Sequence, residues 1–182
     1  HVSLDTKLTR NIKMNNPLIP SNMDTVISFE LAQQILGEGS IPIFHRFCSI
    51  KEQIRFCKTY PNSCFVSCGI NEKDIENLNF LFSNGALGVC IDIAHGHSLV
   101  MCNLIKELKK QYPTKEIIAG NICSKEAYFD LVNAGADAVK VGVGPGAACT
   151  TRIVTGFGVP QFSAIYNISQ YRNSLFDENL KV

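Results

Sequence analysis

Several features are scarce or missing in this sequence. It has no tryptophan, and no apolar run approaches the roughly 20 residues that a bilayer-spanning helix needs. The opening residues, HVSLDTKLTRN, contain no apolar core of a signal peptide. Lysine and arginine are scattered and the formal net charge is +1, so nothing favours a nucleic acid as partner. The remaining composition, 46% hydrophobic and 18% charged over 182 residues, predicts one folded domain without a membrane segment.

Eight cysteines are present, but no CxxC pair occurs. Half of them lie in apolar or periodic stretches, where a thiol packs as a small hydrophobe, namely Cys64, Cys68, Cys90 and Cys102. This distribution favours free thiols in the reducing cytosol over the disulfide framework of a small secreted protein. A zinc site built from Cys64, Cys68 and the His95/His97 pair is the alternative, although the tight ligand-pair spacing of structural zinc is missing.

Short apolar segments alternate with amphipathic segments along the chain. The predicted strands are residues 17–24, 41–46, 64–69, 88–94, 116–122 and 138–144. The predicted helices span 27–37, 50–59, 72–83, 98–111, 125–134 and 161–172, with Ser124 as an N-cap and Gly135 as a C-terminal stop. Because most strands are continuous apolar runs, they indicate a parallel sheet covered on both faces.

Six such units at a spacing of roughly 24 residues fit either a (β/α)8 barrel or a doubly wound sheet. The polar residues favour the α/β barrel, because they fall at strand carboxyl ends: Asn22, Asp24, His45, Arg46, Asp92, His95, Asn121 and the loop 144–152. In a barrel these ends meet at one mouth, where catalytic residues gather. Residues 1–182 are therefore expected to form a partial barrel domain that lacks its last two units and the phosphate-binding loops that such units usually carry.

The densest chemical signal is the string VGVGPGAACTTRIVTGFGVPQ at 141–161. A strand there runs into a Gly-Val-Gly-Pro-Gly turn, which can bend sharply and direct backbone groups inward. Cys149 follows, flanked by Thr150, Thr151 and Arg152, an arrangement suited to a reactive thiolate. The alternative is a tight loop around a structural cysteine.

GPGAACTTR followed by TGFGVPQ resembles the active-site loop of the IMP dehydrogenase/GMP reductase family. NMDTV (22–26), IDIAHGHS (91–98) and AGNI (119–122) resemble further segments of that family, in the same order. The resemblance extends over essentially the whole chain. It implies a barrel enzyme that acts on the purine nucleotides IMP or GMP and assembles as a homotetramer.

The resemblance also implies roles for the residues around the cysteine. Cys149 is similar to the nucleophile that attacks C2 of the purine base and forms a covalent thioimidate. Thr151 is similar to the threonine that helps to activate the attacking or leaving group. The backbone carbonyls of Gly144, Gly146 and Cys149 resemble a site for a monovalent cation, potassium.

Further residues resemble the family's ligand-binding positions. Ser21 and Met23, with Gly146, resemble residues beside the bound nucleotide. Asp92 resembles an aspartate near the nicotinamide ribose, and together with Asn121 and Arg46 it implies a binding site for the cofactor, NADPH or NAD. Purely local interpretations stay open: Asp92 could cap a helix, Asn121 could satisfy buried backbone groups, and Thr151 could bond only to its own loop. His95 and His97 are interpreted as loop residues.

The two activities of the family share the covalent intermediate and differ in its fate. In IMP dehydrogenase it is hydrolysed after hydride has passed to NAD, whereas in GMP reductase it forms as ammonia leaves and then accepts hydride from NADPH. Asn22 and Arg46 resemble GMP reductases, since most dehydrogenases carry a small residue or proline in place of Asn22. The regulatory insertion of most dehydrogenases is also missing, yet VSLDTKLTRN and TRIVTGFGVPQ resemble dehydrogenases. We favour GMP reductase, with IMP dehydrogenase as the alternative.

Two further classes stay open. A truncated, inactive paralogue would act as an interaction partner, which the missing phosphate loops favour and the intact Cys149 loop opposes. A barrel oxidoreductase with another cofactor, such as a flavin, is the second.

Overall fold

A short hairpin precedes a five-stranded parallel sheet. The computed structural model of the chain describes residues 2–179. Strands β1 (Thr6–Lys7) and β2 (Lys13–Met14) pair in antiparallel fashion. The parallel strands are β3 (Ile43–Phe44), β4 (Phe65–Cys68), β5 (Gly88–Asp92), β6 (Glu116–Ile122) and β7 (Ala138–Val141).

Helices alternate with the parallel strands. They are α1 (Phe29–Gly37), α2 (Ile50–Thr59), α3 (Glu72–Ser83), α4 (Leu99–Gln111), α5 (Lys125–Ala134), α6 (Thr151–Thr155) and α7 (Gln161–Asn179). In each of the helices α1 to α5 the side chain of the N-cap residue accepts a hydrogen bond from the backbone N–H three residues further on. These N-cap residues are Ser28, Ser49, Asn71, Ser98 and Ser124. Gly135 ends α5 with a φ of 112°, a left-handed conformation that favours glycine. The predicted cap at Ser124 and stop at Gly135 are thus confirmed.

The order of the strands decides between the two candidate architectures. From β3 to β7 the strands are hydrogen-bonded in chain order, and every neighbouring pair is parallel. A doubly wound sheet would reverse its order at a switch point, and no reversal occurs within residues 2–179. The barrel prediction is confirmed, because sequential parallel strands joined by helices are the arrangement of a (β/α)8 barrel.

Each face of the sheet has its own apolar cover, since successive strand residues point to opposite sides. Phe44, Val66 and Val89 belong to the larger core, which includes the buried faces of the helices. Phe65 and Cys90 point the other way and pack with Leu8 and Ile12 of the hairpin region. The hairpin therefore covers the inner face at the amino ends of the strands and leaves the carboxyl ends for polar side chains.

The first predicted strand is wrong, because residues 17–24 form no strand in the structure. Pro17 and Pro20 lack the N–H that a sheet ladder requires, and Ser40 Oγ donates to the Leu18 carbonyl oxygen at 2.7 Å. Five parallel strands are present in the described residues rather than six. The segment still reaches the carboxyl end of the sheet, where Asn22 bonds to side chains of β4 and β5.

Other differences concern short or terminal elements. The hairpin strands have two residues each and α6 has five, lengths too short to produce a hydrophobic period. Helix α7 extends beyond the predicted 161–172. In the described part of the chain no helix is both long enough and apolar enough to cross a membrane.

Candidate active site

A cleft of about 530 Å³ opens at the carboxyl ends of the strands. It is lined by all nine residues to which the family resemblance gave a catalytic, ligand-binding or cation-binding role: Ser21, Met23, Arg46, Asp92, Asn121, Gly144, Gly146, Cys149 and Thr151. They come from the segment before α1, from the ends of three strands and from the loop after β7, so folding brings them together. A larger groove of about 750 Å³ lies between α5 and α7 and contains none of them.

The loop that carries Cys149 is held by backbone contacts and by Arg152. Gly144 has a φ of 73°, which a side chain would disfavour, and a β-carbon there would lie 2.7 Å from Arg152 Cγ. The Cys149 N–H donates to the Gly146 carbonyl oxygen at 3.0 Å. The Arg152 guanidinium reaches the same oxygen at 3.4 Å. The glycines therefore leave room for the side chain that fixes the loop.

The Cys149 thiol lies half-buried in the cleft, beside Thr151. Its Sγ is 3.3 Å from Thr151 Oγ1. The Thr151 hydroxyl and then the Thr151 backbone N–H lower the pKa of Cys149, with smaller contributions from the Arg152 charge and the Gly144 N–H, while desolvation opposes them. A solvent-accessible thiol with a lowered pKa loses its proton more readily, and the resulting thiolate is the form in which cysteine acts as a nucleophile.

The cysteines inside the sheet have the opposite character. Burial raises the pKa of Cys68 and Cys90, that of Cys90 to about 12. Outside the sheet, burial, helped by the charge of Glu52, likewise raises the pKa of the half-buried Cys48 to about 11. These thiols stay protonated and pack as small apolar groups, as the sequence predicted for Cys68 and Cys90. All eight cysteines of the chain are free.

A polar network occupies the inner face of the sheet at the carboxyl ends of the strands, where three of its side chains line the cleft. Asn22 Nδ2 donates to Ser67 Oγ at 2.7 Å and to Asp92 Oδ2 at 3.0 Å. Lys140 Nζ donates to Asn22 Oδ1 at 2.7 Å and to Asp92 Oδ1 at 2.8 Å. Neither Lys140 nor Ser67 was predicted from the sequence to belong to the site, and Asn22 was predicted only to lie at the mouth of the barrel. The available signal for Lys140 was a charged residue within the apolar strand AVKV.

Three polar side chains that line the cleft keep an atom without a partner among the described residues. Asn121 Nδ2 donates to the Gly142 carbonyl oxygen at 2.8 Å, but Asn121 Oδ1 accepts no hydrogen bond. Gln161 Nε2 donates to the Val141 carbonyl oxygen at 2.9 Å, and Gln161 Oε1 is likewise unpaired. Arg46 Nε is the third. Since buried polar atoms are normally satisfied, these atoms are available to a ligand.

The prediction that Asp24, His45 and His95 join the other polar residues at the site is wrong. His45 is buried, whereas Asp24 and His95 are exposed, and none of the three lines the cleft. His97 Nε2 contacts Asp130 Oδ2 of α5 at 2.8 Å. Within residues 2–179 no group of three His, Cys, Asp or Glu side chains is arranged to hold a metal ion, so the zinc alternative has no support.

Comparison with known proteins identifies the family. A family model described as IMP dehydrogenase / GMP reductase domain matches residues 1–177. This chain belongs to the IMP dehydrogenase/GMP reductase family. The resemblance seen in the cysteine loop therefore extends along the fold, and the sheet from β3 to β7 is part of the family's (β/α)8 barrel.

Relatives of both kinds within the family are similar to this chain. An inosine-5'-monophosphate dehydrogenase of Borreliella burgdorferi is 36% identical over 95% of this chain and 56% of its own length. GMP reductases of Vibrio atlanticus and Salmonella newport are 39% and 38% identical, over 82% and 87% of this chain and 45% and 48% of their own lengths. The chain thus spans about half the length of the curated relatives it matches.

The lengths of the alignments differ between the two kinds of relative. With the dehydrogenase, 226 aligned positions correspond to 95% of 182 residues, about 173, so about 53 positions have no counterpart here. With the reductase of Vibrio atlanticus, 155 positions correspond to 82% of 182 residues, about 149. The GMP reductase of Vibrio atlanticus therefore aligns with this chain almost without insertions.

Proposed function

We propose that the whole protein is a purine nucleotide oxidoreductase and, within its family, a GMP reductase that converts GMP to IMP and ammonia with NADPH. The observation that carries the proposal is the accessible Cys149 thiol, whose pKa Thr151 lowers, in a cleft with unpaired amide oxygens of Asn121 and Gln161. Nucleophile, supporting hydroxyl and ligand-binding groups share the mouth of the barrel, where active sites of this fold lie.

The chemistry proceeds through a covalent adduct on sulfur. The Cys149 thiolate adds to C2 of the purine ring, and the C2 amino group takes up a proton and leaves as ammonia, which produces a thioimidate. NADPH, when bound, supplies the hydride that C2 then accepts. The C–S bond breaks, which releases IMP and restores the thiolate. Thr151 Oγ1, 3.3 Å from the sulfur, stabilises the thiolate at both ends of this sequence.

The chemistry of the lining side chains supports a proposed position for each of the two ligands. The Asp92 carboxylate can accept hydrogen bonds from ribose hydroxyls, and Asn121 Oδ1 can accept one from a carboxamide. The Arg46 guanidinium is suited to a phosphate oxygen. We therefore place the dinucleotide against these three residues and the purine nucleotide against Ser21, Met23 and Gly146.

We also place a potassium ion at the carbonyl oxygens of Gly144, Gly146 and Cys149. Backbone carbonyl oxygens replace the hydration shell of potassium in known sites. The Gly146 oxygen already accepts the Cys149 N–H, and its second contact, from Arg152, is long at 3.4 Å. A cation can replace that second contact and stiffen the loop.

Two observations favour the reductase over the dehydrogenase. Asn22 makes three hydrogen bonds, to Ser67, Asp92 and Lys140, and the small residue or proline of most dehydrogenases could not make them. The alignments with GMP reductases also need few insertions, in contrast to the alignment with the dehydrogenase.

The test is an assay of the full-length protein with both substrate pairs. Oxidation of NADPH with release of ammonia from GMP supports the reductase. Reduction of NAD by IMP, without turnover of GMP, would instead establish the dehydrogenase. Absence of turnover with either pair would refute the enzymatic proposal and favour an inactive paralogue.

A substitution at the cysteine tests the mechanism itself. Cys149→Ala is expected to lower kcat by several orders of magnitude and to abolish reaction with the electrophile 6-chloro-IMP, because no covalent adduct can form. Cys123→Ala is the matched control, since Cys123 is half-buried and lies outside the cleft. Turnover of Cys149→Ala within about tenfold of the parent would contradict the assignment of the nucleophile.

A further inference from the structure

We infer that Lys140 is a positioning residue, which together with the Asn22 amide holds the Asp92 carboxylate in the orientation that binds the dinucleotide. The inference rests on the proposed function, which places the dinucleotide at Asp92. Lys140 has no role in the proposed chemical steps, although its side chain lines the cleft and it is the charged residue of an otherwise apolar strand.

The three side chains form a closed triangle of hydrogen bonds. Lys140 Nζ is 2.8 Å from Asp92 Oδ1 and 2.7 Å from Asn22 Oδ1, and Asn22 Nδ2 is 3.0 Å from Asp92 Oδ2. Each oxygen of the carboxylate is therefore held by a different partner, so the carboxylate cannot rotate without breaking a bond. Each oxygen also keeps a lone-pair direction for a ligand.

The register of the sheet explains how Lys140 reaches Asp92. Asp92 on β5 is opposite Gly120 on β6, and Gly120 is opposite Lys140 on β7. Gly120 has no side chain, and a β-carbon there would lie 2.7 Å from Lys140 Cβ. The lysine side chain therefore passes over the middle strand to the carboxylate two strands away.

The contact between Lys140 and Asp92 is important because both side chains are partly buried. The side chains of Asp92 and Lys140 are 19% and 34% exposed, and Asn22 is 3% exposed. A partly buried carboxylate needs a partner, because an unpaired charge is costly there. The neighbouring thiols of Cys68 and Cys90 supply no charge, since burial raises the pKa of both. Among residues 2–179, Lys140 is the cation whose side chain contacts Asp92.

The experiment compares Lys140→Met and Lys140→Arg in the full-length protein. Titration with NADPH and with NAD gives Kd, and steady-state rates give kcat and KM. We expect Lys140→Met to raise Kd and KM for the dinucleotide by about tenfold to hundredfold, the range for a hydrogen bond to a charged group. We expect kcat to change less, and Lys140→Arg to stay within about threefold of the parent because arginine can contact the carboxylate. Lys106→Met, on the exposed surface of α4, is the matched control.

A double-mutant cycle separates positioning from direct contact with the ligand. If Lys140 acts through Asp92, Lys140→Met should weaken binding less than about twofold further in an Asp92→Asn background. The double variant lacks both charges and so leaves neither one unpaired. It therefore still tests the inference if Lys140→Met alone fails to fold. Multiplicative losses would overturn the inference, as would unchanged dinucleotide binding in Lys140→Met. A parent that binds neither dinucleotide overturns this inference and the proposed function together, whereas turnover of IMP with NAD overturns only the reductase assignment.

Discussion

The polar network at the carboxyl ends of the strands allows a quantitative prediction for Asn22. Asn22→Ala removes three hydrogen bonds at once, from Ser67, Asp92 and Lys140. Asn22 is 3% exposed and Ser67 is 1% exposed, so water reaches this side of the network poorly. The substitution therefore leaves the Ser67 hydroxyl buried without its partner and weakens the hold on two charged groups.

The magnitude follows from the kind of each bond. Hydrogen bonds to charged groups contribute about 1.5–3 kcal/mol each and a neutral one about 0.5–1.5 kcal/mol. The sum overstates the loss, because Lys140 and Asp92 keep their mutual contact at 2.8 Å and are partly exposed. We expect the free energy of unfolding to fall by about 2–4 kcal/mol.

Urea denaturation of the full-length protein, followed by circular dichroism, measures this loss. Ser67→Ala removes one neutral bond of the same network and is expected to lose only about 0.5–1.5 kcal/mol. Asn103→Ala, on the exposed surface of α4, is expected to stay within about 0.5 kcal/mol of the parent. An Asn22→Ala protein as stable as Asn103→Ala would refute the reasoning that the network carries stability.

Three further predictions concern the cysteine loop and the sheet. Thr151→Val removes the hydroxyl that lowers the pKa of Cys149, so the pH profile of alkylation by iodoacetamide should shift to higher pH and the rate at pH 7 should fall; an unchanged profile contradicts this. Initial rates should be higher in potassium than in a bulky organic cation, and equal rates in potassium, sodium and that cation remove the cation site. Gly88→Ala places a β-carbon against the Glu116 carbonyl oxygen and 2.6 Å from Phe65 Cε1, so urea denaturation should show that the free energy of unfolding falls by at least about 1–3 kcal/mol. Gly37→Ala places its β-carbon in open space, so its free energy of unfolding should not fall.

Local patterns in the sequence were sufficient for much of the fold. The apolar runs that became β4 to β7 and the periodic segments that became α1 to α5 were predicted close to their observed bounds. Ser124 and Gly135 acted as cap and stop because their preferences depend on the backbone of a few neighbouring residues. The Cys149 loop was likewise recognisable, since its glycines, cysteine and threonines are contiguous. The family and the nominated lining of the cleft followed from such contiguous motifs.

Contacts between distant residues were decided by the tertiary structure alone. Residues 17–24 looked like a strand, but their prolines cannot complete a sheet ladder, and the segment instead delivers Asn22 to the cleft. Lys140 meets Asp92 because Gly120 stands between them in register, a relation across three strands that no local pattern contains. Composition and periodicity report on neighbours in the chain, whereas the network of Asn22, Asp92 and Lys140 depends on residues up to 118 positions apart.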